Sequence, residues 1–292
     1  MASVIANAIT IEYDTAGNLS DPPLLLIMGL GAQMISWDDA FVDELVKRGF
    51  FVIRFDNRDV GLSTWFDDAG VPDIGELMAE ALSGDAKAPY VLDDMAADAA
   101  GLLDALGIVS AHVVGASMGG MIAQALAIRF PSKVRSLVSI MSTTGDRKVG
   151  NPHPDAMAAL MAPPPATRDE AIEASVKAYG VFGSPGYPFN EQRVRDNAAR
   201  AFDRGFHPDG VARQLAAVIA SPDRTDGLRS VTAPTLVIHG EADPLVDPSG
   251  GKATAAAVPG ASLWIVPGMG HDIPPALFPE MAERIAAHSL GG

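Results

Sequence analysis

The chain has 292 residues and no cysteine. That one absence excludes disulfides, thiolate metal sites and a cysteine nucleophile, and it fits a reducing compartment. A His-x-x-x-His pair is missing too, and the six histidines are scattered. No metal site is therefore expected, and no cofactor motif stands out. Nowhere do about 18 apolar residues follow one another, so no transmembrane helix is expected. Basic residues are few: 21 Lys and Arg against 36 Asp and Glu leave a formal net charge of −15. Such a surface repels phosphate backbones and anionic lipids, so neither nucleic acid nor a membrane is an expected partner. The first residues, Met1 to Asn7, carry no basic region. A secretory leader is not expected, and the cytoplasm is the expected location. Internal repeats and low-complexity tracts are also lacking.

What is present describes a folded domain. Hydrophobic residues make up 48% and charged residues 20%, an ordinary balance for a buried core and a hydrated surface. The length suits one large core with an inserted subdomain, or two domains. Residues 3–13 alternate and end in a turn, predicting an edge strand or hairpin. Leu24 to Met28, Phe50 to Phe55, Ala111 to Val114 and Val134 to Met141 are apolar runs without alternation, which suits strands buried on both faces. Helical periodicity covers 38–48 and 91–106, with Asp93, Asp94 and Asp98 placed on a solvated face. Residues 65–90 read as an excursion with a short helix.

The character changes over residues 146–222. Pro163-Pro164-Pro165, Pro185 and Pro188 break it up, strand-like runs vanish, and three helical stretches appear near 168–181, 190–203 and 209–220. Alternation then resumes: a strand at 235–239, a helix at 248–257, a strand at 262–266 and a helix at 276–288. The fold class predicted is α/β, a mostly parallel sheet with helices on both faces. The core is expected from residues 1–145 and 223–292, with 146–222 as a helical insertion.

Gly115-Ala116-Ser117-Met118-Gly119 lies between a strand run and a helix run. G-x-S-x-G in that setting is a nucleophile elbow, a tight turn that lifts the serine hydroxyl clear of the sheet. Otherwise it is a glycine-rich connection. A serine needs a base, and the base needs an orienting acid. His271 follows the last strand in Pro267-Gly268-Met269-Gly270-His271, a loop free to swing an imidazole over the sheet edge. Asp243, after the 235–239 strand, is the best acid. Glu241 and Asp247 compete, although Asp247 before Pro248 also fits a helix cap. The resulting chain order is Ser, Asp, His. A developing oxyanion needs two aimed N–H donors. Met118 would supply one, and Leu30 in the turn Met28-Gly29-Leu30-Gly31 the other, unless that turn merely joins strand to helix.

Over essentially its full length the chain resembles the α/β-hydrolase superfamily. The resemblance rests on Met28–Gly31, Asp56-Asn57-Arg58-Asp59-Val60-Gly61-Leu62-Ser63, Gly115–Gly119, Gly240–Asp243 and Gly270-His271. Met28 where many members have histidine, and the Asp-Asn-Arg-Asp run, are similar to the aclacinomycin methylesterase subgroup of bacterial carboxylesterases. The resemblance implies a serine esterase acting on a small-molecule ester, with 146–222 as a lid. Asp56 and Arg58 would brace a loop, and Asp59 stands where many relatives carry glycine. Trp37, Phe182, Tyr187 and Phe189, with Tyr179 and Phe206, would line the substrate pocket or fill the lid's own core. A carbon–carbon bond hydrolase or cofactor-free perhydrolase would use the same triad. A non-catalytic ligand receptor on this fold is the alternative of another class.

Overall fold

The computed structural model describes residues 1–291. Its strands are β1 Ala2–Ala6, β2 Ile9–Ala16, β3 Pro23–Ile27, β4 Phe51–Phe55, β5 Ala111–Ala116, β6 Val134–Ile140, β7 Thr235–Gly240 and β8 Ser262–Val266. They form one sheet in the order β1-β2-β4-β3-β5-β6-β7-β8. The hairpin β1–β2 and the β2–β4 pair are antiparallel. All remaining neighbours run parallel. The apolar runs become the central strands because both of their faces are covered. Leu24, Leu25, Leu26 and Ile27 are all fully buried, two toward each face.

The helices are α1 Asp39–Lys47, α2 Ile74–Ser83, α3 Leu92–Ala105, α4 Met118–Arg129, α5 Pro154–Leu160, α6 Arg168–Phe182, α7 Glu191–Arg204, α8 Pro208–Ala220, α9 Thr225–Leu228, α10 Ser249–Ala257 and α11 Phe278–Leu290. On one face α1 and α11 pack Phe41, Leu45, Phe278, Met281 and Ile285 against Leu24, Leu26 and Val138. On the other, α3 and α4 pack Met95, Leu102, Ile122 and Leu126 against Leu25, Ile27 and Val113. Between β6 and β7 the described residues contain helices α5 to α9 and no strand. No described helix is long and apolar enough to cross a membrane.

Two sequence expectations need correction. The segment between β6 and β7 holds α5 as well, a seven-residue helix. It is too short for a clear apolar period, but His153 caps it and Pro154 opens it, a recognisable start signal. Asp98 is not solvated. It is buried, and the Arg58 guanidinium bonds its carboxylate at 2.6 and 2.7 Å, which supplies the compensating charge that burial demands.

The strand order reverses beside β3: β4 lies on one side of it and β5 on the other. Their outgoing loops part there and leave a crevice at the carboxyl ends. The 28–31 turn after β3 and the serine turn after β5 flank that crevice.

Candidate active site

Ser117 sits in the turn between β5 and α4 with φ 57° and ψ −120°. For a residue with a Cβ this backbone is strained, by about 1–3 kcal/mol. Neighbouring contacts hold it: the Ser117 N–H donates to the Ile140 carbonyl at 2.9 Å, and Ser142 Oγ donates to the Ser117 carbonyl at 2.9 Å. The flanking glycines follow from close approach. A Cβ on Gly115 would lie 2.1 Å from the Gly119 carbonyl oxygen, and one on Gly119 would lie 2.0 Å from that of Ile27. No side chain fits at either position, so the pentapeptide has a steric cause.

The imidazole of His271 reaches this serine from the loop after β8. Its Nε2 lies 2.9 Å from Ser117 Oγ, and its Nδ1 lies 2.8 Å from Asp243 Oδ2. Asp243 leaves the end of β7 with its side chain fully buried. Its Oδ1 accepts the Leu245 and Val246 N–H groups, each at 2.9 Å. His239 Nε2 donates to the Val246 carbonyl at 2.8 Å and stands 3.4 Å from Oδ2. Burial of the carboxyl works toward its neutral form. The nearby His239, the hydrogen bond to His271 and the Val246 amide outweigh it and bring the pKa to about 2. A permanent carboxylate therefore faces Nδ1 and favours a proton there. Nε2 is then left with a lone pair directed at the serine hydroxyl. Of the competing acids, Asp247 caps α10 by accepting the Ser249 N–H at 2.9 Å, and Glu241 is exposed.

The turn after β3 lies against the serine. A Cβ on Gly29 would be 3.1 Å from Ser117 Cβ and 3.6 Å from its Oγ. Asn57 Nδ2 donates to the Met28 carbonyl at 2.9 Å, and the Gly31 N–H donates to Gln214 Oε1 at 2.8 Å. These bonds brace the turn from both sides. The Leu30 N–H bonds to no other backbone group among the described residues. The Met118 N–H opens α4, where a helix leaves its first donors unpaired. Neither amide has a side-chain or loop-backbone acceptor among the described residues.

Ser117 and His271 open into a cavity of about 670 Å³ between the sheet's carboxyl edge and the helices that follow β6. Its walls are mainly apolar, and Met28, Met78, Met118, Met121, Met141, Met157 and Met161 account for seven of the chain's twelve methionines. Trp37 and Phe182 line it, as does Tyr179. Tyr187 and Phe189 do not. The Tyr187 hydroxyl donates to the Pro267 carbonyl, and its ring packs on the α1–α11 side of the sheet. Phe189 is half exposed and packs at a tilt against Tyr179, with ring centres 5.1 Å apart. Phe206 stacks on Phe202 instead. The sequence shows that these rings are aromatic but not which way the turn between α6 and α7 directs them. Also missed were the Arg193–Asp38 ion pair on the cavity wall, 2.8 Å long, and Asp272 next to the imidazole. Asp38 had a visible signal as the cap of α1, whereas its partner lies 155 residues away.

The alpha/beta hydrolase fold family matches residues 22–274. The chain belongs to that family. Rhodomycin D methylesterase DauP of Streptomyces sp. (strain C5) is 30% identical, over 98% of this chain and 97% of its own length. Rhodomycin D methylesterase DnrP of Streptomyces peucetius is 31% identical, over 96% and 95%. Among solved structures, a mutant of the meta-cleavage product hydrolase from Pseudomonas fluorescens IP01, complexed with acetates, superposes with a TM-score of 0.77. It covers 100% of this chain and 98% of that one, at 19% identity. That likeness describes the fold of this α/β-hydrolase.

Proposed function

We propose that this α/β-hydrolase is a serine esterase. It cleaves carboxylic esters of small to medium, largely apolar molecules through an acyl-enzyme. The observation that carries the reading is the unbroken relay from the Asp243 carboxylate through the His271 imidazole to the Ser117 hydroxyl. The full-length likeness to two methylesterases supports it.

Ser117 Oγ attacks the ester carbonyl while His271 Nε2 takes its proton. The carbonyl oxygen becomes an oxyanion, held by the Leu30 and Met118 amides. Collapse of the tetrahedral intermediate breaks the bond to the alkoxy oxygen, and His271 returns the proton to the leaving alcohol. Water then attacks the acyl-Ser117 carbonyl with His271 as base, and the acid departs. These steps need neither metal nor organic cofactor.

Residues 146–222 serve as the cap, and residues 1–145 and 223–292 as the catalytic core. The cap supplies Met157, Met161, Tyr179 and Phe182 to the cavity wall. Methionine side chains adapt to irregular apolar shapes, so the cap selects by size and apolarity. They also count against perhydrolysis, because a peracid formed beside them would oxidise thioethers to sulfoxides.

A fluorophosphonate label traced to Ser117, with a panel of p-nitrophenyl and methyl esters, tests the reading. Stoichiometric labelling and ester turnover are expected. Turnover of vinylogous diketones with inert esters would move the assignment to carbon–carbon hydrolysis. Ligand binding with no turnover would make the protein a receptor.

A further inference from the structure

His271 is gripped from the cap side as well as from the core. Its backbone N–H donates to the Phe182 carbonyl at 2.7 Å, and the Gly270 N–H donates to Ser184 Oγ at 2.8 Å. Ser184 in turn donates its hydroxyl proton to one oxygen of Asp272. The Tyr179 hydroxyl donates to the other. The Gly186 N–H donates to the Gly268 carbonyl at 2.9 Å. The whole loop 268–272 is thus laced to residues 179–186. Contact is too close for side chains. A Cβ on Gly270 would lie 2.5 Å from both the Phe182 and Gly183 carbonyl oxygens. Burial, then the bond to Asp272 and its charge, push the Tyr179 phenol well above its ordinary range, so it remains a proton donor.

This lacing differs from the catalytic relay. Tyr179, Ser184 and Asp272 bond to neither Ser117 nor Asp243. They join the end of α6, which forms part of the cavity wall, to the loop that carries the base. We infer that Tyr179, Ser184 and Asp272 are positioning residues that couple cap docking to the placement of His271. With the cap seated, the Phe182 carbonyl and Ser184 hydroxyl fix the loop, and Nε2 stays within reach of Ser117. A substrate that fills the cavity without lifting α6 leaves the relay intact. One that props α6 away draws the 268–272 loop with it and lengthens the proton-transfer distance. Cap shape then filters substrates through turnover as well as through binding. A misplacement of about 1 Å at a reacting group slows chemistry by about 100-fold.

This inference rests on the serine esterase reading, and the experiment separates the two. Full-length wild type, Tyr179→Phe, Ser184→Ala and the double variant are compared in p-nitrophenyl butyrate turnover and in the rate of labelling by an alkyl fluorophosphonate. Labelling forms the Ser117 Oγ–P bond and expels fluoride. It also needs His271 to take the serine proton. The double variant should lose about 10- to 100-fold in kcat, with KM within about twofold of wild type. Its labelling rate should fall by the same factor. Ser184→Thr, which keeps the hydroxyl, should restore most of the loss when it replaces Ser184→Ala beside Tyr179→Phe. Tyr179→Phe removes a single oxygen and keeps the ring, so it remains informative if the double variant folds poorly. Wild-type turnover and labelling in the double variant, or a loss confined to KM, would overturn the coupling and leave the esterase reading standing. Failure of the wild type itself to label at Ser117 would overturn both.

Discussion

Asp243 and Asp59 both lie near the carboxyl edge of the sheet with side chains fully shielded from solvent, and only Asp243 leads anywhere. Asp243 gives one oxygen to two backbone amides and the other to His271. Asp59 gives one oxygen to the Phe66 amide and Arg213, and the other to the Tyr90 hydroxyl and Arg213 again. Both are well satisfied. They differ in what lies beyond the partner. The far nitrogen of His271 faces Ser117 and the cavity. Arg213 holds a fixed charge, and burial with the nearby Asp59 pushes the Tyr90 phenol far above its usual range, so neither passes a proton on. Burial and hydrogen bonding alone do not make a site. A titratable partner with an open far side does. The Asp59 cluster instead fastens α8 to the loop after β4, beside Asp56, which pairs with Arg204 of α7 at 2.6 Å.

The largest expected effects break the Asp243 side. Ser117→Ala should lower kcat by about 10⁵-fold or more with little change in melting temperature. Asp243→Asn should lower it by about 10³- to 10⁴-fold, for a geometric reason. The Leu245 and Val246 N–H groups require an acceptor, so the amide oxygen must face them. The amide NH₂ then faces His271 Nδ1 and forces the tautomer that presents N–H to Ser117. Steady-state ester hydrolysis by the two variants checks this. Near-wild-type turnover by Asp243→Asn would remove Asp243 from the relay.

Breaking the Asp59 side should have the opposite signature. Asp59→Asn leaves the buried Arg213 charge with only the exposed Asp67 carboxylate, at 3.1 Å, to compensate it, a loss of about 3 kcal/mol of stability, the low end for a broken buried pair. Once folded, the protein should keep its turnover, because Asp59 touches no reacting group. Urea unfolding and kcat, both measured well below the melting transition, separate the outcomes. A variant as stable as wild type but as slow as Asp243→Asn would erase the contrast between the two clusters.

Legibility in the sequence divides along the same line. The central strands were readable because Leu24–Ile27 and Val113–Val114 are apolar without alternation, a local signal for burial on both faces. Ser117, Asp243 and His271 stand out because each follows a strand run within a few residues of a glycine. Their meeting depends on strand order, which brings the ends of β5, β7 and β8 to one edge, and the residue runs do not state that order. The Asp59–Arg213 pair, 154 residues apart, had no local signal. The run 56–63 looked like a loop brace, but nothing in it named Arg204 or Arg213 as partners. Asp98 shows the same failure in reverse: helical spacing placed it on the water side, and a distant arginine drew it in. Asp59 itself has φ 67°, a left-handed backbone that glycine would adopt without strain. The carboxylate adds an anchor that glycine lacks.

The smallest effect concerns a buried imidazole that belongs to neither cluster. His112 of β5 bonds Ser136 Oγ at 2.8 Å and meets the edge of Phe50. No carboxylate compensates it. Burial first, then the charges of Arg135 and His288, lower its pKa to about 4, from about 6.5 in an unfolded chain. The sign follows from proton counts. Between those two values the unfolded chain binds a proton that the folded one refuses, so acid favours unfolding. Stability is fully present above about pH 6.5 and is lost as the pH falls toward 4. Asp243 behaves differently: held at about 2, it releases its stability only below its unfolded value of about 3.9. A fall from pH 7 to 4.5 should therefore cost on the order of 2 kcal/mol through His112 and almost nothing through Asp243. His112→Gln, which keeps a polar partner for Ser136, should start less stable and lose less over that range. His288, also lowered by burial, should contribute in the same direction in a His288→Gln control. Urea unfolding at pH 7 and 4.5 measures the slope. If Asp243→Asn flattened it and His112→Gln did not, the acid sensitivity would lie in the proposed catalytic relay, and the division between relay and scaffold would fail.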